Sequence, residues 1–256
     1  MSNPRITLAA HLDESFRALD TLERLRLLCD EVGGRIVFTS SLGIEDQALT
    51  HLILANDLPI EVVTLDTGRL FTETYKVWTE TEARYGRRIR AYYPRHDALE
   101  KLVAHQGIDG FYDSVAARHA CCDVRKVEPL KRALEGASVW ITGLRAGQSA
   151  GRSAVGFVAF DSGHGVLKAN PLLDWERERL TDFIAENHVP VNALHAQGFP
   201  SIGCAPCTRA VAPGESERAG RWWWENEDQK ECGLHVDESG RLVRAKAPAV
   251  AEGPFR

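Results

Sequence analysis

The chain of 256 residues is short of several things. No apolar run approaches the length of a membrane-spanning helix. The N-terminal stretch MSNPRITLAAHLDESF turns polar too early for a secretory signal. Both points predict a cytoplasmic protein with no membrane partner, in a compartment where structural disulfides are rare. There is no excess of basic charge either. The formal net charge is −5, which argues against a nucleic-acid partner, so an anionic ligand would need a local basic cluster. Neither G-x-x-x-x-G-K-[ST] nor G-x-G-x-x-G occurs, which sets aside the Walker and Rossmann phosphate loops. No long linker, internal repeat or low-complexity tract interrupts the chain. Cysteine is scarce, at 29, 121, 122, 204, 207 and 232.

What is present is an alternation of strand and helix patterns. Residues 8 to 30 carry Leu12, Phe16, Leu19, Leu22 and Leu25 at helical spacing. Cys29 continues that apolar face and reads as a core filler. Ile36-Val37-Phe38 reads as a buried strand, followed by a helix with Ile44, Ala48, Leu49, Leu52 and Ile53 on one face. IEVVTL is a second strand, and LFTETYKVWTETEARYG a helix ended by Gly86. RIRAYYP and SVWITG are further strands. Residues 97 to 107 and 123 to 135 are predicted helices, with the Cys121–Cys122 pair just before the second. Two short β runs flank DSGHG as a hairpin. DWERERLTDFIAENH is a helix with Asp174 as its expected N-cap. The pattern predicts an α/β protein with an open, mostly parallel sheet and helices on both faces. Beyond 189 the periodicity fades into a tail with three consecutive tryptophans, 222 to 224.

Ligands of such sheets gather at the carboxyl ends of the strands. TSSLGIED, 39 to 46, follows the first strand. Ser40, Ser41, Leu42 and Gly43 are placed there to let an anion approach a helix N-terminus, with Asp46 in the first turn. An ordinary serine-capped turn is the alternative. Leu65, Asp66, Thr67 and Gly68 end the second strand at the same edge. The Asp66 carboxylate suits a ribose or an adenine amine, or else caps a helix. TGLRAGQSAGRS, 142 to 153, follows another strand, and there Gly143, Arg145 and Arg152 form a candidate anion loop. Arg125 and Lys126 after the cysteine pair, and Arg218 and Arg221 before the tryptophans, complete a candidate cationic patch.

Cys121 and Cys122 are adjacent, and a disulfide between neighbours would be strained. Cys204 and Cys207 form a C-x-x-C. The four thiols admit three readings: a zinc site, a redox-active C-x-x-C that leaves the other pair idle, or a [4Fe–4S] cluster. The cluster's separate iron corners accommodate adjacent residues best. Cys232, in KECGLH, stands alone in a polar setting with Lys230 and His235 nearby. Such cations favour a thiolate.

SSLGIED, LDTG, CCDVRKVEPL, TGLRAGQSAGRS, GCAPCTR and ECGLH, in this order, resemble the assimilatory sulfonucleotide reductases. The likeness is to the iron–sulfur adenosine 5′-phosphosulfate (APS) reductases of bacteria, over roughly residues 30 to 236. The resemblance implies an adenine-nucleotide α-hydrolase-like fold with a mobile C-terminal segment. It implies one [4Fe–4S] cluster per subunit on Cys121, Cys122, Cys204 and Cys207, and Cys232 as the nucleophile. Thiolate and sulfate would repel, so Lys126, Arg145, Arg218 and Arg221, with Arg152, are expected to offset that charge, and His235 to stabilise the thiolate or orient the tail. It implies sulfate assimilation as the setting, APS as substrate and thioredoxin as reductant, and it admits a homo-oligomer. Residues 1–236 are expected to form a single reductase domain, with a catalytic tail from about 208 to 236 and an extension over 237–256. Rivals are a reductase for the 3′-phosphorylated substrate (PAPS), an ATP-pyrophosphatase of the same fold, and a metal-stabilised nucleic-acid-binding module.

Overall fold

A computed structural model describes residues 3–148 and 155–226, and the backbone of 235–236 and 242–243. The expected helical stretch over 8 to 30 is two helices, α1 (Pro4–Phe16) and α2 (Thr21–Glu31). The break falls where Asp20 builds a capping box. Its carboxylate accepts from the Glu23 amide at 2.8 Å, and Glu23 accepts from the Asp20 amide at 2.8 Å. Leucine spacing alone cannot show such a break, because both helices pack into the same core.

The core of the molecule is a six-stranded sheet. In chain order its strands are β1 (Arg35–Ser40), β2 (Glu61–Leu65), β3 (Arg90–Tyr92), β4 (Ala137–Ile141), β5 (Val158–Asp161) and β6 (Val166–Ala169). Their spatial order is β3-β2-β1-β4-β6-β5. All neighbours are parallel except the β5–β6 hairpin, so the sheet is open and mostly parallel as expected. β1 is central, with Phe38 opposite Val62 on one side and Ile141 on the other. Ser40, Leu65 and Ile141 therefore end at one edge, and the loops after them meet there.

Both faces are covered. One buries Phe38, Val62, Val139 and Leu167 beneath α1, α2, α3 (Ile44–Ala55) and α8 (Arg177–Glu186). The other buries Val37, Val63, Trp140 and Val166 against Leu130, Ala133 and Leu134 of α7 (Glu128–Leu134). Cys29 packs, partly buried, against the first core. α4 (Thr72–Tyr85) stops at Gly86, whose φ of 61° is left-handed, as a glycine cap requires. At the sheet edge α1 lies against β5, and Asp13 accepts from the Val158 amide at 3.0 Å, which shields the open strand.

Two expectations need correction. The helix over 123 to 135 does not begin after the cysteine pair. The stretch expected over 97 to 107 is α5 (His96–Gln106), and α6 (Val115–Cys122) already carries both cysteines and runs through a π-helical turn, Asp123–Val127, into α7. Pro129 has no N–H to offer the carbonyl of Arg125 and its ring crowds that group, so the hydrogen-bond ladder widens just ahead of it. Asp174 does not cap α8; Glu176 occupies that place. Asp174 instead receives Arg24 through two hydrogen bonds, 2.7 and 2.8 Å. Among the described residues no helix is long and apolar enough to cross a membrane.

Candidate active site

The strand-end loops enclose a cleft of about 310 Å³. Ser40, Ser41 and Gly43 form its first wall, from the turn between β1 and α3. Leu42 occupies the turn with φ at 61° but is buried in the core rather than facing the cleft. Gly43 precedes α3 without a side-chain cap, which leaves the positive end of the helix beside the cleft. Asp46 folds back and accepts from the Ser41 amide at 2.6 Å and the Ser41 hydroxyl at 2.5 Å. Burial raises its carboxyl to about 6 and the Glu45 charge adds to the rise, while the Ser41 and Gly143 hydrogen bonds oppose it.

Leu65 and Thr67 line the second wall. Asp66, 6% exposed, is consumed locally: it accepts from the Gly68 amide at 2.8 Å and from Tyr75 Oη at 2.9 Å. Neither Asp66 nor Gly68 is among the cleft-lining residues. The third wall is Thr142 and Gly143 after β4. Arg145 is placed elsewhere than the anion-loop expectation puts it. It is 1% exposed and paired with Glu45 at 3.1 Å and Glu217 at 2.9 Å, bracing two loops from behind. Arg152 lies outside the described residues.

The fourth wall comes from the tail, with Gly203 and Cys204 on one strand of chain and Arg218, Arg221 and Trp222 on the next. The two stretches pair through a Thr208–Arg221 bridge and a hydrogen bond from the Trp222 amide to the Cys207 carbonyl, 3.1 Å. A β-carbon at residue 203 would stand 2.3 Å from Arg221 Nη2, so a larger residue there would have to displace that guanidinium. Lys126 enters the same cleft from the π-helical turn. The cationic patch expected from Lys126, Arg218 and Arg221 is thus assembled in one place, although the three come from two distant parts of the chain. Lys168 on β6, stacked 4.6 Å from the Trp140 ring, also lines the cleft. Sequence reasoning missed it; the signal was a lysine inside the apolar run VLKA.

Against this wall lies a second, small cavity of about 20 Å³, lined by Cys121, Cys122, Cys204 and Cys207. All four predicted ligands meet there. Successive helical residues point about 100° apart, so Cys121 and Cys122 present their sulfurs at separate points of the rim. The remaining lining includes Arg69, Arg118, Arg125 and Lys126 and no carboxylate. Thr67 Oγ1 sits 3.3 Å from Cys204 Sγ. Burial pushes the Cys207 thiol up to about 12, with Cys204 adding to the rise and the Arg221 and Lys126 charges opposing it. Burial also raises the Cys121 thiol against the pull of Arg125. Arg125 Nε is a buried donor without a hydrogen-bond partner. Among the described residues, no three His, Cys, Asp or Glu side chains are gathered as ligands of a single ion.

The tryptophans anchor the tail here. Trp222 is 2% exposed, between Arg118 at 4.8 Å and Arg221 at 4.6 Å. Trp224 packs on Tyr112 with ring centres 4.5 Å apart. Cys232 lies outside the described residues. His235 is described only as backbone, in β7 (His235–Val236), which pairs with β8 (Leu242–Val243).

An open α/β sheet with a strand-end cleft lined by Lys126, Arg218 and Arg221, joined to a four-thiol cavity, defines the class. Residues 35–210 match the phosphoadenosine phosphosulfate reductase domain, and the chain belongs to that family. It is 55% identical over 227 residues to the adenosine 5′-phosphosulfate reductase of Agrobacterium fabrum, covering 89% of this chain and 87% of the relative. It is 52% identical over 234 residues to the enzyme of the same name from Allochromatium vinosum, covering 91% of each. Among solved structures, the phosphoadenylyl-sulfate reductase of Candida auris, a phosphate complex, matches with a TM-score of 0.68 and 25% identity. That match covers 82% of this chain and 98% of the other.

Proposed function

We propose that the chain reduces adenosine 5′-phosphosulfate to sulfite and AMP in sulfate assimilation, with thioredoxin as electron donor. The observation that carries this reading is the convergence of Lys126, Arg218 and Arg221 in one cleft with the Ser40–Gly43 turn. Relatives more than 50% identical that bear the APS reductase name support it.

The nucleotide lies against Ser40, Ser41, Gly43, Leu65, Thr67 and Gly143, with Arg152 as a further contact. Its phosphosulfate faces Lys126, Arg218 and Arg221. The Cys232 thiolate attacks the sulfur, the bond from sulfur to the bridging oxygen breaks, and AMP departs with that electron pair. The product is a Cys232 S-sulfonate. A thioredoxin thiolate then attacks Cys232 Sγ and sulfite leaves with the S–S bonding electrons. A second thioredoxin thiol resolves the mixed disulfide and frees Cys232. Nucleophile and sulfate are both anionic. The three cations offset that repulsion and stabilise charge building on the leaving phosphate. His235 is assigned to hold the thiolate in place.

Cys121, Cys122, Cys204 and Cys207 would hold a [4Fe–4S] cluster. The fit rests on the thiols' shared cavity, its cationic lining, and the unpartnered Arg125 Nε, since thiolate ligands bring negative charge that such a lining offsets. Such a cluster would supply positive potential to the cleft, which shares Lys126 and Cys204 with the thiol cavity.

The test is turnover on APS and PAPS with thioredoxin, together with mass spectrometry of the enzyme treated with APS alone. Faster turnover of APS and a sulfonate on Cys232 are expected. A preference for PAPS, or a sulfonate formed equally on Cys232→Ser, overturns the reading.

A further inference from the structure

Arg118 is an unusual residue to bury. It lies on α6 four positions before Cys122, and its side chain is 0% exposed. Its guanidinium meets Glu225 through two parallel bonds, Nε to Oε1 at 2.9 Å and Nη2 to Oε2 at 2.6 Å. The Glu225 side chain is 3% exposed. The same guanidinium covers the Trp222 ring at 4.8 Å and hydrogen-bonds to the Cys122 side chain. The Glu225 amide in turn donates to the Trp222 carbonyl at 2.9 Å, closing a tight turn. One side chain therefore grips a cysteine of the four-thiol cavity, the tryptophan on the cleft wall, and a carboxylate seven residues before Cys232.

A buried ion pair is weak evidence for stability, because desolvation offsets much of its attraction; its commoner use is to fix one geometry among several. The two-pronged contact sets the direction of the chain as well as its position. We propose that Arg118 and Glu225 are positioning residues: a clamp that fixes the root of the segment bearing Cys232 to the helix bearing Cys121 and Cys122. The direction in which the chain leaves Glu225 is thereby set relative to that helix. The proposal rests on the reading of Cys232 as nucleophile. The clamp touches neither the nucleotide loops nor the reacting atoms.

The experiment uses the full chain, prepared without oxygen, with Glu225→Gln as the near-isosteric variant and Arg118→Lys as the second. Four quantities are compared with wild type: the AMP dissociation constant, visible absorbance per chain, amide hydrogen exchange over residues 221 to 226, and the single-turnover rate of sulfonate formation. For Glu225→Gln, AMP affinity should stay within about twofold and absorbance should be unchanged. Exchange over 221 to 226 should quicken about tenfold, and sulfonation should slow by about 10- to 100-fold. Arg118→Lys keeps the charge but not the fork, and should show the same pattern in smaller measure. Unchanged exchange and sulfonation in both variants overturn the clamp. So does a parallel loss of AMP affinity and sulfonation, which would mark a brace for the cleft and nothing more. If wild type forms no sulfonate on Cys232, the nucleophile reading fails, and the exchange comparison still decides the clamp.

Discussion

Gly143, in the loop after β4, faces Asp46 at the start of α3 so closely that a β-carbon at 143 would stand 2.1 Å from Asp46 Oδ1. Asp46 cannot retreat cheaply, because Ser41 holds it through both its amide and its hydroxyl. Gly143→Ala should therefore displace the Ser40–Gly43 turn. Overpacking of this kind costs about 1–3 kcal/mol. We expect a lower melting temperature and AMP binding weakened at least about tenfold, a change of about 1.4 kcal/mol, read by calorimetry. Normal AMP affinity in this variant would show that the turn does not contact the nucleotide.

Asp46 also sets a pH dependence. Its folded pKa of about 6 lies above the ordinary carboxylate value of 3.8, with burial as the main cause. The native state thus holds a proton that the unfolded state releases. The associated stability is present in full below pH 4 and is lost as pH rises through 6. The displacement corresponds to roughly 3 kcal/mol. Asp46→Asn should flatten the fall in unfolding free energy between pH 4 and 6 relative to wild type, in urea titrations. Parallel curves for the two proteins would contradict the raised carboxyl.

The cations of the cleft should act on chemistry more than on folding. Lys126→Ala should slow sulfonation of Cys232 by about 10²–10³-fold, the usual cost of losing one donor to developing charge. Its melting temperature should stay near wild type. Single-turnover mass spectrometry reads the rate. A change in apparent affinity alone, with the sulfonation rate intact, would assign Lys126 to binding.

The pair Arg24–Asp174 should behave in the opposite way. Arg24 is 2% exposed and also donates to the Phe16 carbonyl at 2.8 Å, which ties α1, α2 and the start of α8 together. Burial pushes the Asp174 carboxyl upward, but the Arg24 hydrogen bonds and charge outweigh it, so the net shift is downward. Asp174→Ala leaves a buried guanidinium short of a partner. We expect a destabilised protein with unchanged AMP affinity, and a stability difference from wild type that shrinks as pH falls through the carboxyl's folded range. Weakened AMP binding without loss of stability would refute this assignment.

Cys207→Ser should remove the brown absorbance and the iron of anaerobically prepared protein, which wild type should hold at about four irons per chain. Wild type that is colourless and contains zinc would overturn the cluster.

The sheet was legible because apolar runs such as Ile36-Val37-Phe38 and the helical spacing after Ile44 depend only on neighbours in sequence. The cleft was half legible. Ser40, Ser41, Gly43 and Gly143 announce themselves as small residues at strand ends, Lys126 as a cation beside the cysteine pair, and Arg218 and Arg221 as cations before the tryptophans. Arg145 reads equally as an anion binder until Glu45 and Glu217, distant in sequence, fold against it. Asp174 reads as a cap until Arg24 arrives. Lys168 gives no sign of its destination, because strand order decides that β6 lies beside β4. In each case local pattern names the residue type, and only tertiary pairing names its partner.

Lys126 and Cys204 belong to both hollows, facing the large cleft on one side and the small thiol-lined one on the other. The two compartments have a common partition rather than separate foundations. Air damage in the inner chamber would therefore first register as poorer nucleotide retention. Conversely, AMP in the outer chamber would slow bleaching by oxygen, a protection that a simple absorbance time course with and without AMP would reveal.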